Sequence, residues 1–184
     1  MVGTEAIEMK RYDLMHSINT RGTFMVSKYA IQHLKKSTHA HILNISPPLT
    51  VKSIWFQHRV AYSIAKIGMS MCVLGMSEEL RPDKIAVNAL WPKVCIWTAA
   101  MNMLEGEKAA KGCRKADIMA DAAYCIFNKT PAECTGNFFI DEVLLKQEGI
   151  NDMEQYAMIP GEKQILDFFL PDELIEDNDD VLSH

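Results

Sequence analysis

The sequence lacks the features that mark secreted, zinc-binding and membrane-spanning proteins. Its five cysteines are odd in number and contain no C-x-x-C pair, which argues against a disulfide framework or a zinc ribbon and favours a reducing compartment. No uncharged apolar run reaches the ~18 residues of a membrane span, and no basic segment followed by an apolar one marks a signal peptide. His39 and His41 would share a strand face, but no third ligand is spaced to join them, so we predict no metal site.

Basic side chains are scarce towards the end of the sequence. Residues 1–140 carry 17 basic and 11 acidic side chains, whereas residues 141–184 carry 2 basic and 13 acidic ones. The basic residues form no stripe of the kind that nucleic-acid binding needs. With 184 residues, 48% of them hydrophobic, the chain can bury one core. We predict a folded domain at 1–170 and an acidic, disordered tail at 171–184.

A tyrosine and a lysine four residues apart form the most informative pair. Tyr62 and Lys66 lie in a run, 61–80, that predicts a helix, so the two side chains share one face. A cation beside a phenol favours the phenolate and lowers the pKa of the phenol, which makes the pair a candidate general acid/base. Chance supplies roughly 0.4 such pairs in a chain of this composition, so the pair needs supporting context.

Two apolar runs on either side of this helix supply that context. Residues 40–46 and 84–91 each predict a strand, and the first ends at Ser46 while the second stops before Pro92. Strand, helix and strand make a βαβ unit, in which function collects at the carboxyl ends of the parallel strands. We therefore expect Ser46, Tyr62 and Pro92 to lie near one edge of a sheet.

This arrangement resembles the short-chain dehydrogenase/reductase family. The matching motifs are Asp13-(x5)-Asn19-x-x-Gly22, Asn44-Ile-Ser46, Tyr62-x-x-x-Lys66 and Val87-Asn88-(x3)-Pro92. Further runs at 44–49, 87–93, 120–124 and 135–138 are similar to one branch of that family. The resemblance covers roughly residues 8–170 and implies an α/β fold, the C-terminal half of a Rossmann-type doubly wound parallel sheet with three strands and flanking helices.

The sequence departs from the family pattern at three places. Lys93 stands where many members have glycine, and prolines stand where many have a second serine before the tyrosine. Only about ten residues precede the helix of Asn19, and they contain no glycine-rich turn of the kind that cradles a cofactor pyrophosphate. We therefore expect that the N-terminal cofactor-binding half of the family fold is absent.

The resemblance also implies roles for individual residues. Tyr62 would act as the acid/base, Lys66 would assist it and hold the nicotinamide ribose, Ser46 would hydrogen-bond the substrate oxygen, and Asn19 would relay protons. Tyr62, Lys66, Pro92 and Ile96 would contact the cofactor, NADP or NAD. The implied substrate is a lipid- or steroid-like carbonyl or alcohol. The resemblance further implies a homo-oligomer and an intracellular location in the peroxisome or mitochondrion.

Other segments leave alternatives open. Residues 11–36 predict a helix that Gly22 interrupts, through close packing or a local distortion, and Asn19 is either a relay residue or an ordinary helix-interior asparagine. Residues 93–103 are expected to form a mobile loop over the site, with a helix at 116–127 and a strand at 137–140. The alternative function is that of a non-catalytic, truncated family member that only self-associates, because strand 40–46 would have one bare edge.

Overall fold

A three-stranded parallel sheet forms the centre of the computed structural model, which describes residues 2–175 and 180–181. The strands are β1 (Ala40–Ile45), β2 (Ile85–Trp91) and β3 (Phe138–Ile140), in the order β1-β2-β3. The register pairs Ala40 with Ile85 and Ala89 with Phe138. Every residue of β2 is buried, as expected of a central parallel strand. The predicted α/β class with three parallel strands is confirmed.

The N-terminal helical segment contains a distortion just before its glycine. Helix α1 (Met9–His16) runs through a π-helical turn at Ser17–Arg21 into α2 (Gly22–Leu34). Within this turn the side-chain amide of Asn19 donates to the carbonyl of Met15 at 2.9 Å. The interruption predicted at Gly22 therefore takes the form of a widened helical turn, which often marks a functional site.

Helix α3 (Val60–Glu79) packs one face on the sheet and another against the π-helical turn. The hydroxyl of Thr20 donates to the carbonyl of Ala65 at 2.9 Å, and a Cβ added at Gly68 would lie 2.5 Å from that hydroxyl. This close approach needs glycine. Among the described residues α3 alone has the length and apolar composition of a membrane span, with a mean hydropathy of 1.4. Because core helices share that composition, it is weak evidence for a span.

Helices cover the other face of the sheet. Helix α5 (Asp117–Phe127) and helix α6 (Asp141–Gln147) pack together, and they bury a cluster around β2. Between β2 and α5 lies α4 (Ala99–Glu105), which begins where the Thr98 hydroxyl accepts a hydrogen bond from the backbone of Met101. The segment expected to be a mobile loop thus contains a capped helix.

The C-terminal segment folds back onto the carboxyl end of the sheet. Leu166 bridges Val94, and Phe168, Phe169 and Leu170 are buried against a cluster that includes Trp55. Apolar contacts thus hold the C-terminal segment against the sheet.

Parts of the tail that we expected to be disordered are ordered. Residues Asp172–Leu174 form a 3₁₀ turn, and β5 (Asp180–Val181) pairs with β4 (Ile165–Leu166). The expectation is corrected there, because backbone pairing and an ion pair between Lys52 and Asp172 hold those residues. Residues 176–179 and 182–184 lie outside the described residues. A domain boundary at residue 170 stays a prediction.

Candidate active site

A cavity of about 460 Å³ opens at the carboxyl ends of β1 and β2. The two strand ends contribute Ile45 and Trp91, and α3 contributes Tyr62 and Lys66. The segment after β2, helix α5 and the returning C-terminal segment form the remaining wall, which includes Pro92, Cys95, Ile96, Thr98, Met101, Leu104, Met119, Asp167 and Phe168. Nearly all of this lining is apolar, so the few polar groups determine how a ligand would be oriented.

Tyr62 lies in the first turn of α3, with its ring between the cavity and the aromatic cluster below. Its ring centroid is 6.3 Å from those of both Phe168 and Phe169. Burial raises the pKa of the Tyr62 phenol, and the nearby Asp167 and Cys95 raise it further, whereas Arg59 lowers it. The lowering of this pKa that we expected from Lys66 is not seen, because burial raises the pKa by more than Arg59 lowers it. At neutral pH the phenol is protonated.

Lys66 lies one helical turn beyond Tyr62. Its ammonium group donates to the carbonyl of Ile45 at 3.3 Å and lies 5.3 Å from the centre of the Trp91 ring. Burial lowers the pKa of Lys66, and Asp167 raises it. An ammonium group has three donors. The bond to Ile45 uses one of them, so this side chain can hold further oxygen atoms at the cavity wall.

Four predicted residues meet at the cavity, and two do not. Tyr62 and Lys66 line it together with Pro92 and Ile96. Ser46 is fully buried just after β1, and its hydroxyl has no hydrogen-bond partner among the described residues. Asn19 lies in the π-helical turn behind α3 and bonds its own helix. In this structure neither Ser46 nor Asn19 belongs to the lining.

Two serines of α3 fasten the proline-rich loop that follows β1. The Ser70 hydroxyl donates to the carbonyl of Pro47 at 2.6 Å, and the Ser63 hydroxyl donates to that of Trp55 at 2.5 Å. Both serines are buried. The loop is therefore held against the helix that carries Tyr62, which fixes where Ser46 lies relative to the tyrosine.

A buried ion cluster holds the segment that follows β2. The backbone N–H of Lys93 donates to the Asp141 carboxylate at 2.8 Å. The side-chain ammonium of Lys93 lies 3.2 Å from the Glu142 carboxylate. Arg114 donates to the same Glu142 at 2.6 Å, and Lys146 does so at 2.7 Å. Lys93, which departs from the family pattern, thus joins the cavity wall to α6.

Asn88, from the second-strand motif, has a structural role. Its side-chain amide donates to the carbonyl of Cys134 at 2.7 Å, and its oxygen accepts from the backbone of Asn137 at 3.0 Å. Because Asn88 is fully buried, these bonds tie β2 to the segment that leads into β3.

Asp167 is a cavity residue that the sequence analysis did not single out. It lines the cavity with Tyr62 and Lys66, and its backbone N–H donates to the carbonyl of Lys93 at 2.9 Å. Burial raises the pKa of its carboxyl to about 7, and Asp141 adds to this, while the backbone of Phe168 and Lys66 lower it. The sequence signal that could have identified Asp167 is an acidic residue directly before an apolar run.

The structure also describes the neighbourhood of the paired histidines. The rings of His39 and His41 are 4.7 Å apart, and the His39 ring bonds the carbonyl of Phe127 at 2.6 Å. Within residues 2–175 and 180–181, no three His, Cys, Asp or Glu side chains converge as metal ligands. That no metal takes part stays a prediction.

Comparisons with known proteins fit this geometry. The sequence matches the family described as Enoyl-(Acyl carrier protein) reductase over residues 3–124. It is 56% identical over 179 residues to hydroxysteroid dehydrogenase-like protein 2 of Danio rerio, covering 96% of this chain and 43% of that protein. The protein of the same name from Homo sapiens is 59% identical over 161 residues, which cover 88% of this chain and 38% of that protein.

These relatives confirm the branch that the runs at 44–49 and 87–93 indicated. The chain spans about two fifths of their length. Among solved structures, a short chain dehydrogenase from Mycobacterium thermoresistibile superposes with a TM-score of 0.84 at 39% identity, covering 92% of this chain and 60% of that one.

An angucycline C-6 ketoreductase with bound NADP superposes with a TM-score of 0.63 at 21% identity, covering 77% of this chain and 56% of that one. At that identity the similarity shows the fold alone. The sequence match, the curated relatives and the parallel sheet agree, and the chain belongs to the short-chain dehydrogenase/reductase family.

Proposed function

We propose that this chain carries the catalytic part of a nicotinamide-dependent oxidoreductase that interconverts a carbonyl and an alcohol. The observation that carries the proposal is the convergence of Tyr62, Lys66, Pro92 and Ile96 on one apolar cavity at the carboxyl ends of β1 and β2. Function in open parallel sheets collects at that edge.

The protonation state of Tyr62 supports a role as proton donor. The hydroxyl keeps its proton at neutral pH and can give it to a substrate oxygen that gains negative charge during reduction. Burial raises the pKa of the phenol, which makes the hydroxyl a weaker acid, so the charge on that oxygen must drive the transfer. Alcohol oxidation needs the opposite transfer, for which the phenol must first lose its proton. Lys66, one turn away, is the cation placed to assist that loss.

The cavity wall suits the nicotinamide end of NAD or NADP. The free donors of Lys66 match ribose hydroxyls, and the apolar wall at Pro92 and Ile96 matches a flat ring. When bound, the nicotinamide would supply the hydride, which no protein side chain can provide. An angucycline ketoreductase of this fold holds NADP, which supports the cofactor class without choosing between NADP and NAD.

The lining supports an apolar substrate. Ile45, Trp91, Met101, Leu104 and Phe168 offer hydrocarbon surface, while Tyr62, Lys66, Thr98 and Asp167 supply the polar groups. A lipid- or steroid-like ketone or alcohol matches this lining, because its hydrocarbon part would contact the apolar wall and its oxygen the few polar groups. A peroxisomal or mitochondrial location is proposed from the family resemblance alone.

Exposed apolar side chains favour self-association as the second candidate function. Ile18 is 65% exposed and Met71 58%, and Phe24, Val26 and Tyr29 on α2 are exposed as well. A homo-oligomer through α1, α2 and α3 would cover them. Such a chain would associate whether or not it turned over substrate.

Oxidation of NADPH and NADH with a panel of apolar ketones, followed at 340 nm with millimolar cofactor, tests the catalytic proposal. Wild-type turnover should exceed background, and Tyr62→Phe, which removes only the hydroxyl, should lower it by about 100-fold or more. Tyr124→Phe is the matched control, because Tyr124 is exposed on α5. Equal rates for wild type and Tyr62→Phe would overturn the catalytic proposal and favour the self-associating alternative.

A further inference from the structure

Arg59 is a buried cation that no described carboxylate neutralises. The side chain is 5% exposed at the start of α3, and its guanidinium group lies 4.1 Å from the centre of the Phe168 ring. Its one hydrogen bond to a described residue, to the carbonyl of Ile54, is long at 3.5 Å, and its Nε–H has no acceptor. A buried guanidinium usually has an anionic partner, because leaving its charge without one is costly.

A second unsatisfied donor lies four residues earlier in the same loop. Trp55 is buried, and its indole Nε1–H has no acceptor in the part of the chain that the structure describes. Arg59 and Trp55 both line a cavity of about 390 Å³ that is separate from the one at Tyr62. Two buried N–H groups without acceptors beside one cavity indicate that an acceptor belongs there, since each unpaired donor destabilises the fold.

The remaining walls of this second cavity do not supply that acceptor. Asp172 lies at its rim, but the Asp172 side chain is largely exposed and pairs with Lys52. The side chains of Gln57 and His58 share a hydrogen bond of 3.0 Å with each other. Ile54, Ile175 and Val181 complete the cavity with apolar surface. The site is therefore cationic at one point and mostly hydrocarbon elsewhere.

We propose that this second cavity binds the carboxylate or phosphate group of a small amphipathic ligand. The guanidinium of Arg59 forms the ion pair, because its planar donors match two oxygens of such a group. The indole of Trp55 donates to the same group, and Ile54 and Ile175 contact the apolar part of the ligand. The volume suits a ligand of modest size.

The ligand that fits this site is a free small molecule with one acidic group and an apolar part. Arg59 lies near Tyr62, but the cavity of Arg59 and the cavity of Tyr62 share no described lining residue, and the anion site does not depend on the catalytic proposal. A binding measurement without cofactor can therefore fail or succeed independently of turnover.

The test titrates the full 184-residue chain with octanoate, octyl phosphate and 1-octanol and follows tryptophan fluorescence and the arginine Nε–H resonances. We expect both anions to bind, to shift the Arg59 Nε–H resonance, and to bind about tenfold or more tightly than 1-octanol. Arg59→Gln should weaken the binding of both anions by about tenfold or more and leave the binding of 1-octanol unchanged. Arg81→Gln is the matched control, because Arg81 is exposed just beyond the other end of α3.

Further variants guard against misfolding. Arg59→Lys keeps the charge and should weaken octanoate binding less than Arg59→Gln does. Trp55→Phe removes the indole N–H together with part of the ring, so it should weaken the binding of octanoate more than that of 1-octanol, as followed by the Arg59 Nε–H resonance. Octanoate binding that matches 1-octanol binding, that survives Arg59→Gln, or that is absent would overturn the proposal.

Discussion

The ammonium group of Lys66 lies 3.3 Å from the carbonyl oxygen of Ile45, the last residue of β1. This contact joins the helix that carries Tyr62 to the end of the first strand. It keeps the lysine at the cavity wall rather than in solvent, and its two remaining donors are available to a ligand.

Lys66→Ala should therefore abolish contact with the nicotinamide end of the cofactor. Saturation-transfer NMR with millimolar NADH should show transfer from the wild-type chain to the nicotinamide protons, and the signal should fall to background in the variant. Lys84→Ala, in the turn before β2, is the control and should behave as wild type. Equal transfer in Lys66→Ala and wild type would contradict the assignment of Lys66 to the ribose.

Gly68→Ala should destabilise the fold by about 1–2 kcal/mol, because the added Cβ would lie 2.5 Å from the Thr20 hydroxyl. Gly75→Ala on the same helix meets nothing within 4 Å and should stabilise by about 0.5–1 kcal/mol. Chemical denaturation gives both values. In a Thr20→Ala background most of the cost of Gly68→Ala should disappear, because only the Cβ of residue 20 remains, at 3.3 Å. A cost that persists in full there would place the strain elsewhere.

Glu142→Gln should destabilise the chain by about 3 kcal/mol, because Arg114 would keep its buried charge and lose its anionic partner. Glu78→Gln removes the exposed pair with Arg81 and should cost less than about 1 kcal/mol. Thermal unfolding at pH 7 compares the two variants. Similar small losses in both would show that the cluster does not stabilise the wall of the candidate site.

Asp167 should make stability fall as pH rises. Burial raises the pKa of its carboxyl to about 7, whereas an unfolded aspartate titrates near 3.9. Between about pH 4 and pH 7 the folded chain therefore binds more protons than the unfolded chain, so the free energy of unfolding decreases across that window. Asp141, with its pKa raised to about 6 by burial, contributes in the same direction.

Asp167→Asn should remove part of this slope and stabilise the chain above pH 7 by on the order of 2 kcal/mol. Urea denaturation from pH 4 to pH 8 measures it. Asp117→Asn, which removes an exposed carboxylate from α5, should keep the wild-type slope. An unchanged slope in Asp167→Asn would mean that its carboxyl is well solvated.

The exposed apolar face of α1, α2 and α3 should drive self-association. Light scattering on a size-exclusion column should give a mass above the 20.8 kDa of one chain, and Ile18→Glu should lower it. Val51→Glu changes a side chain that is 97% exposed in the loop after β1 and should leave the mass unchanged. Because acidic side chains predominate after residue 140, association should strengthen from low to physiological salt. A sharp monomer peak in both salts would contradict this.

The sequence was sufficient to predict elements that depend on local pattern. The apolar runs that end near Ser46 and Pro92 became β1 and β2, and the helical run between them placed Tyr62 and Lys66 on one face. Periodicity and proline boundaries are local signals, so they can be read without the fold.

Features that depend on distant parts of the chain could not be predicted in the same way. Asp167 reaches the cavity only because the C-terminal segment pairs with Val94 and its neighbours. The raised pKa of Tyr62 depends on that same packing, since Asp167 contributes to it. The position of Ser46 outside the cavity depends on how the following loop is held against α3, which its motif does not encode.

The return of Asp167 and Phe168 to the cavity wall has a consequence for the order of synthesis. Ile45, Tyr62 and Trp91 leave the ribosome long before residues 167 and 168, so the cavity is open on one side while the chain grows. The complete cavity forms only after this last wall has docked. Protection of Phe168 from proteolysis would therefore report when the cavity of a newly made chain is complete.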